Sequence, residues 1–199
     1  MHTAFTIGHS THTIAKFIEL LKMHSITAVC DVRSKPYSRT NHQYNRESLQ
    51  KELNKNDIFY AFLGRELGAR TDNPNCYIDG KVQYNRIAAT TLFREGIENL
   101  TEIMKDFRIA IMCAEKEPLA CHRTILVARH LQDEGVEIKH ILANGKLETR
   151  EAVELRLLRQ LNLAEEDLFK TLKERIAQAY QIQGERIAYM EQVEGNRPI

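Results

Sequence analysis

A chain of 199 residues, 43% hydrophobic and 28% charged, is long enough to bury a sizeable core in one ordinary domain with an appendage. Its formal net charge of +1 and pI near 7.7 exclude any argument from global charge for DNA, membrane or acidic partners, so such an affinity has to come from a local patch. No apolar run approaches ~18 residues, and the opening MHTAFTIGHS lacks the charged-then-apolar pattern of a secretory signal; the expectation is a cytoplasmic protein without a membrane partner.

Phe5 to Ile7 reads as a short strand ending at Gly8-His9-Ser10, with Ser10 or Thr11 capping a helix that carries Ile14, Phe17, Ile18, Leu20 and Leu21. Ile26 to Val32, rich in β-branched residues, reads as a second buried strand that delivers Asp31 and Arg33 at its far end. Pro36 discourages regular structure in KPYSRTNHQYN, and helix resumes near Asn45 through Leu49 and Leu53. Ile58 to Leu63 is a third strand closed by Gly64. Residues 64–83 carry three glycines and a proline and have no regular period; a loop that long inside a compact domain is expected to be functional or mobile. From Tyr84 to Lys105 the helical period returns through Ile87, Ala88, Leu92, Ile97, Leu100 and Met104.

The stretch Arg108–Gly135 holds the densest chemistry. Ile109 to Met112 is too short for a helix and reads as a buried strand ended at Cys113. A polar loop, Ala114 to His122, carries Glu115, Glu117, Pro118, Cys121 and His122, and a helix then runs from Arg123 to a stop at Gly135. Val136 to Leu142 supplies a fifth strand, and beyond Asn144-Gly145 a helical tail is expected over Thr149–Leu161 and Ala164–Gln192. A helical segment between successive strands requires them to run parallel through crossovers. The expected fold is therefore α/β, a doubly wound, mostly parallel sheet of about five strands over residues 1–145, with a helical C-terminal extension over 146–199 packed on it.

In such a sheet the strand C-termini deliver His9-Ser10, Asp31-Arg33, Gly64-Arg65 and Cys113-Glu115 to one edge, where open α/β sheets bind ligands. Nine residues, none of them glycine, separate Cys113 from Arg123. The layout matches the thiolate cradles of rhodaneses and cysteine phosphatases only loosely, because those are short and glycine-rich. Cys121 is a second candidate thiol, beside His122 and Arg123 at a helix start. The four cysteines, Cys30, Cys76, Cys113 and Cys121, are expected to remain reduced in a cytoplasmic chain. A metal ion is the competing use of the same residues: His9, Asp31, Cys113, Cys121 and His122 include enough ligands for zinc or iron. With no C-x-x-C and no H-x-x-x-H pair, no metal or other cofactor is expected. A local basic patch does exist, Arg33 to Arg46, with four Lys or Arg, no acid, and Tyr37, His42 and Tyr44 interleaved; it suits phosphates and stacked bases, or simply a solvated loop.

The strings TIGHS (6–10), DVR with Pro36 and Ser38, FLG (62–64), MCAE (112–115), CHR (121–123) and KHI (139–141), with DLF (167–169) and AYQIQGERIAY (179–189), together resemble the domain of unknown function 488 family, DUF 488. The resemblance spans nearly the whole chain; it implies an intracellular α/β protein and brings no established reaction, cofactor or substrate. The family's motif positions here are His9, Ser10, Asp31, Arg33, Ser38, Gly64, Cys113, Glu115, Cys121, His122 and Arg123, and Ala69 stands where a second glycine is expected. Residues and resemblance together lead to an expected enzyme, a thiol-dependent transferase or hydrolase, acting on a small anionic, phosphate-bearing or nucleotide-like substrate. Cys113 or Cys121 is its nucleophile or redox thiol, His9 or His122 moves a proton, and Asp31 or Glu115 orients that imidazole. Arg33 and Arg123 hold negative charge, with Ser10, Ser38 and Gly64 at the binding positions. The alternative is a non-catalytic nucleic-acid-binding or DNA-repair-associated module using residues 33–46.

Overall fold

In the computed structural model of the chain, residues 2–163 and 170–191 are described. The strands in chain order are β1 (Thr3–Gly8), β2 (Ala28–Asp31), β3 (Phe59–Phe62), β4 (Tyr77–Ile78), β5 (Lys81–Val82), β6 (Ile109–Cys113), β7 (Glu137–Ile141) and β8 (Leu147–Thr149). Six of them form one sheet in the order β3-β2-β6-β1-β7-β8, the first five parallel and β8 antiparallel at the edge. The helices are α1 (Ile14–Met23), α2 (Arg46–Asn54), α3 (Gly64–Leu67), α4 (Tyr84–Ala88), α5 (Thr91–Asp106), α6 (Arg129–Asp133), α7 (Arg150–Gln160) and α8 (Leu172–Ile187).

Both faces of the sheet are covered, which is why β2 and β6 are buried at every position instead of alternating. On one face Phe5, Ile7, Val29, Ala110 and Met112 pack against Phe17, Leu20 and Leu21 of α1 and Leu49 and Leu53 of α2. On the other, Ala28, Cys30, Ile109 and Ile111 meet Phe93, Leu100 and Met104 of α5 and Leu126, Val127 and Leu131 from the helix after β6. A third cluster joins Val153, Leu157 and Leu158 of α7 to Ala179 and Tyr180 of α8, seated on Leu119 and Ile125.

This topology positions the site. The connection from β1 runs through α1 on one face to β2, whereas that from β6 runs through helix 123–133 on the opposite face to β7. Because β1 and β6 are hydrogen-bonded neighbours, their C-termini form a switch point, where departing helices diverge and leave a crevice.

Several local expectations change. The cap of α1 is Thr13, whose side chain accepts from Lys16 N at 3.2 Å, while Ser10 instead turns the chain with φ 49°. The helix expected over 84–105 breaks at Ala89-Thr90, because the Thr90 hydroxyl accepts from Phe93 N at 3.1 Å and starts α5 afresh. Part of the irregular 64–83 stretch is the β4–β5 hairpin, turning on Asp79 (φ 48°) and Gly80 (φ 73°). The edge strand β8 follows a turn closed by Gly145 N donating to Leu142 O at 2.9 Å, with Gly145 at φ 83°. Of the helix expected over 164–192, Leu172–Ile187 is helical; residues 164–169, with the DLF string, lie outside the described residues.

Candidate functional site

The loop after β6 folds back and brings its two ends together. Pro118 opens a 3-10 turn, Pro118–Ala120, capped by the Glu117 carboxylate accepting from Leu119 N at 3.2 Å. The β1 end holds the loop from one side, with His9 N donating to Cys113 O and Ser10 N to Ala114 O, both at 2.9 Å. Gly8 allows this approach, since a Cβ there would collide with the Glu115 carbonyl. From the other side the fully buried Arg123 donates Nη1 to Glu115 O at 2.6 Å and Nη2 to Lys116 O at 3.3 Å. The helix that follows begins as a π-helix, Arg123–Ala128, before passing into α6. π-Helical turns are rare and are frequently found at functional sites.

Cys113, Glu115, Cys121 and His122 converge as a result, one ligating atom from each lying within 4.8 Å of the others. His122 Nδ1 stands 3.6 Å from Cys113 Sγ and 4.0 Å from Cys121 Sγ, and Cys121 Sγ hydrogen-bonds Glu115 Oε2 at 3.0 Å. The other imidazole nitrogen, Nε2, lies 3.0 Å from the Val32 carbonyl. A carbonyl only accepts, so Nε2 carries a proton and Nδ1 faces the sulfurs. Both sulfurs and the imidazole are buried, whereas Glu115 is an exposed residue whose carboxylate turns inward onto Cys121.

The two thiols differ electrostatically. Burial, then the neighbouring Cys121 and Glu115, push the Cys113 thiol well above its ordinary range. Burial also works against ionising Cys121, but the hydrogen bond from Cys113, the Arg123 charge and His122 together hold it well below that range. The His122 imidazole is raised against its burial by Cys121, and the Glu115 carboxyl is raised by burial and by Cys121. By contrast Cys30, buried in the sheet, is pushed up to about 12 and is inert. Cys30, Cys76, Cys113 and Cys121 are all free thiols.

A second network adjoins the first. Asp31, fully buried, accepts from Arg33 Nε at 2.9 Å and Nη2 at 2.7 Å, from Arg33 N at 3.1 Å, and from the Tyr60 hydroxyl at 2.8 Å. Arg33 also donates to Tyr44 O at 2.9 Å, and its Nη1 lies 3.3 Å from His9 Nε2. A guanidinium only donates, so Nε2 of His9 accepts, and Nδ1 donates to Ser10 O at 2.9 Å. Held in this tautomer and stacked on Tyr44 at 4.0 Å, His9 is lowered to about 4 by burial and by the Arg33 charge. The networks meet at residues 32 and 33, where the Val32 carbonyl receives His122.

Of the expected site residues, the structure thus gathers Cys113, Glu115, Cys121 and His122 around one point, and His9, Asp31 and Arg33 beside it. Asp31 orients Arg33, and through it His9, without touching the imidazole itself. The N–H groups of Arg33 are engaged by Asp31, Tyr44 and His9, and the Nη groups of Arg123 by loop carbonyls. Gly64 abuts the Arg33 carbonyl with no room for a Cβ, and the Ser38 hydroxyl accepts from Thr40 N and Asn41 N within its own turn. In the 33–46 patch Tyr44 is fully buried, while Lys35, Arg39, His42 and Arg46 are exposed. Tyr60, the Val32 carbonyl and Gly8 were not expected at the site; only Gly8 left a sequence signal, as a glycine next to His9 at a strand end. A groove of about 690 Å³ between Tyr84, Ile125, Arg129, Tyr180 and Gly184 lies elsewhere, and none of the expected site residues lines it.

A family model described as "Domain of unknown function DUF488" matches residues 13–130. The chain belongs to the DUF488 family. No curated relative and no solved structure matches it. The DUF488 span contains Asp31-Val32-Arg33, Phe62-Leu63-Gly64, Cys113-Ala114-Glu115 and Cys121-His122-Arg123, whereas TIGHS, KHI and the C-terminal strings lie beyond it. DUF488 membership thus covers the sulfur cluster and the Asp31–Arg33 pair and leaves His9 outside. Among the described residues no helix is long and apolar enough to cross a membrane.

Proposed function

We propose that this protein is an enzyme, a thiol-dependent transferase or hydrolase, whose working centre is Cys113, Glu115, Cys121 and His122 at the C-terminal edge of the sheet. The observation that carries the reading is the convergence of four protonatable or nucleophilic groups within 4.8 Å at the β1–β6 switch point. The imidazole orientation supports it, because the Val32 carbonyl aims Nδ1 at the sulfurs. In this reading Cys113 and Cys121 supply the sulfur chemistry, His122 moves a proton and Glu115 is the group nearest solvent. His9 and Asp31 act at one remove, by fixing Arg33. Arg33 and Arg123 place two permanent positive charges behind the centre, a field that favours a small phosphate-bearing or nucleotide-like anion, while Ser10 turns the chain beside it, Gly64 packs against the Arg33 carbonyl and Ser38 holds the turn that follows.

The test is turnover of a panel of phosphate monoesters, phosphodiesters and nucleotides. Cys121→Ser, His122→Asn and Glu115→Gln should each lower a detected activity by about a hundredfold or more, while Lys51→Ala on α2 leaves it within twofold. Activity that survives Cys113→Ser and Cys121→Ser together rejects the centre.

The exposed cations of the 33–46 patch favour a second reading, a nucleic-acid-binding or DNA-repair-associated module in a cytoplasmic protein. It calls for affinity to DNA or RNA that falls steeply with salt and is lost when Lys35, Arg39 and Arg46 are neutralised; absent or salt-independent binding removes it.

A further inference from the structure

We propose that Cys113 Sγ, Cys121 Sγ, His122 Nδ1 and a Glu115 carboxylate oxygen bind one zinc ion, with Glu115 as the ligand that yields to water or substrate. This names the cofactor of the centre proposed above and rests on that reading in taking these four side chains as the working groups; with the ion bound, the two sulfurs and His122 Nδ1 act as its ligands in place of nucleophile and proton carrier.

Four independent features converge. The first is the donor set: two sulfurs, one imidazole nitrogen and one carboxylate oxygen are the ligand types that tetrahedral zinc takes. The second is spacing. With zinc bonds of about 2.0–2.3 Å, ligand atoms of a tetrahedron stand roughly 3.3–3.8 Å apart. Three of the six pairs here are 3.0 Å (Cys121–Glu115), 3.6 Å (Cys113–His122) and 4.0 Å (Cys121–His122), and the remaining pairs lie within 4.8 Å, so side-chain shifts of up to about an ångström centre an ion among them.

The third feature is the surrounding support. Metal-bound histidines almost always donate their far nitrogen to a carbonyl or carboxylate, as Nε2 of His122 does to Val32 O at 3.0 Å, which leaves Nδ1 for the ion. The backbone N–H of Arg123 donates to Cys121 Sγ at 3.4 Å, a bond that steadies a sulfur ligand. The fourth is charge. Two thiolates and a carboxylate would gather three negative charges in a largely buried spot, where the Arg123 guanidinium lies close behind and the charge of nearby Arg33 is already balanced by Asp31. A divalent cation together with that guanidinium balances them, at a place where unpaired charge is costly.

The geometry also ranks the ligands. Cys113, Cys121 and His122 are 3%, 1% and 7% exposed, whereas Glu115 is an exposed residue. Three buried ligands hold the ion, and the fourth position opens outward, the pattern that separates catalytic zinc sites from closed structural ones. The sequence hid the site because its donors form no compact motif: Cys113-x-Glu115 and Cys121-His122 are separated by a loop that must fold back before they meet.

The experiment is metal analysis of the full chain purified without chelator, followed by Co²⁺ titration of chelator-treated protein. One equivalent of zinc is expected, and Co²⁺ should give a sulfur-to-cobalt charge-transfer band with the visible absorption of a tetrahedral site. Cys113→Ser, Cys121→Ser and His122→Asn should each weaken Zn²⁺ binding at least a hundredfold; Glu115→Gln should retain the ion and shift the cobalt spectrum. Because a cysteine variant can lose binding by misfolding, the wild-type melting temperature is followed as well, and it should rise with added Zn²⁺. Wild-type protein that takes up less than a tenth of an equivalent of Zn²⁺, shows no charge-transfer band and gains no thermal stability overturns the assignment. Turnover undiminished in metal-free protein overturns the zinc and leaves the enzymatic reading standing. Bound zinc without turnover on any substrate does the reverse.

Discussion

The Arg123 guanidinium grips the backbone carbonyl of Glu115, eight residues earlier, at 2.6 Å, and in doing so closes the loop that makes Cys113 and Cys121 neighbours. Arg123 is fully buried, so this grip is made without water as a competitor. Arg123→Ala leaves the Glu115 and Lys116 carbonyls without their donor and should cost about 3 kcal/mol in urea unfolding. Arg123→Lys should recover less than half of that, because an ammonium lacks the planar fork that reaches two carbonyls. A lysine variant as stable as wild type contradicts the clamp.

Asp31 and Arg33 form the buried pair of the second network, 2.7 Å apart. Asp31→Asn leaves a guanidinium only 6% exposed without its counter-charge, and a loss of roughly 3–5 kcal/mol is expected. Tyr60→Phe removes one neutral donor from the same carboxylate and should cost about 1–2 kcal/mol. Equal effects of the two substitutions would mean that the charge is not what matters.

Stability should fall on mild acidification through histidines buried in the neutral form. His9 is lowered to about 4 by burial and Arg33; His140, whose Nδ1 meets Thr6 Oγ1 at 2.8 Å, is lowered to about 3 by burial, then by Arg123 and Arg156. A histidine with a depressed folded value takes up its proton in the unfolded chain first. The stabilisation is therefore full above pH 6.5 and is lost as the pH falls from there toward about 4 for His9 and about 3 for His140. Denaturant titrations at pH 7.0, 5.5 and 4.5 should show a decline of about 1–3 kcal/mol for each group. His140→Gln should have a shallower pH slope than wild type; identical slopes reject the attribution.

Gly8 and Gly135 should respond to alanine for different reasons. At Gly8 the added methyl collides with the Glu115 carbonyl, so Gly8→Ala has to displace the loop and should cost more than about 3 kcal/mol. At Gly135 there is nothing within 4 Å, and only the φ of 80° opposes the change, so about 1 kcal/mol is expected. Thermal unfolding of the pair separates steric from conformational cost, and a mild Gly8→Ala would mean that the loop can move freely off β1.

The parallel core was legible because each strand is a short apolar run and each connection repeats at helical spacing; Ile109–Cys113 and Ala28–Asp31 are the clearest cases. What escaped was structure carried by turns. Asp79-Gly80 and Asn144-Gly145 are hairpin signals, yet both sat in or beside stretches read as loop or tail because the strands that went unread, β4, β5 and β8, are only two to three residues long. At the site, residue types pointed to the edge, but not to the division of roles within it. A sequence shows arginines and a thiol; it cannot show that the N–H groups of Arg33 hold Asp31, Tyr44 and His9, or that a main-chain carbonyl at Val32 orients His122. Both depend on where the backbone of a distant segment passes.

The wide π-helical turn at Arg123–Ala128 fixes chain length as well as shape. A π-turn accommodates one residue more than an α-turn, and each residue of an ordinary helix rotates the chain by about 100°. Deleting a single amino acid there would let the segment relax to a plain helix while swinging Cys121 and His122 away from Cys113. Among homologues, an alignment gap inside 123–128 should therefore coincide with loss of the cysteine–histidine pair just upstream, even where every other core position is kept.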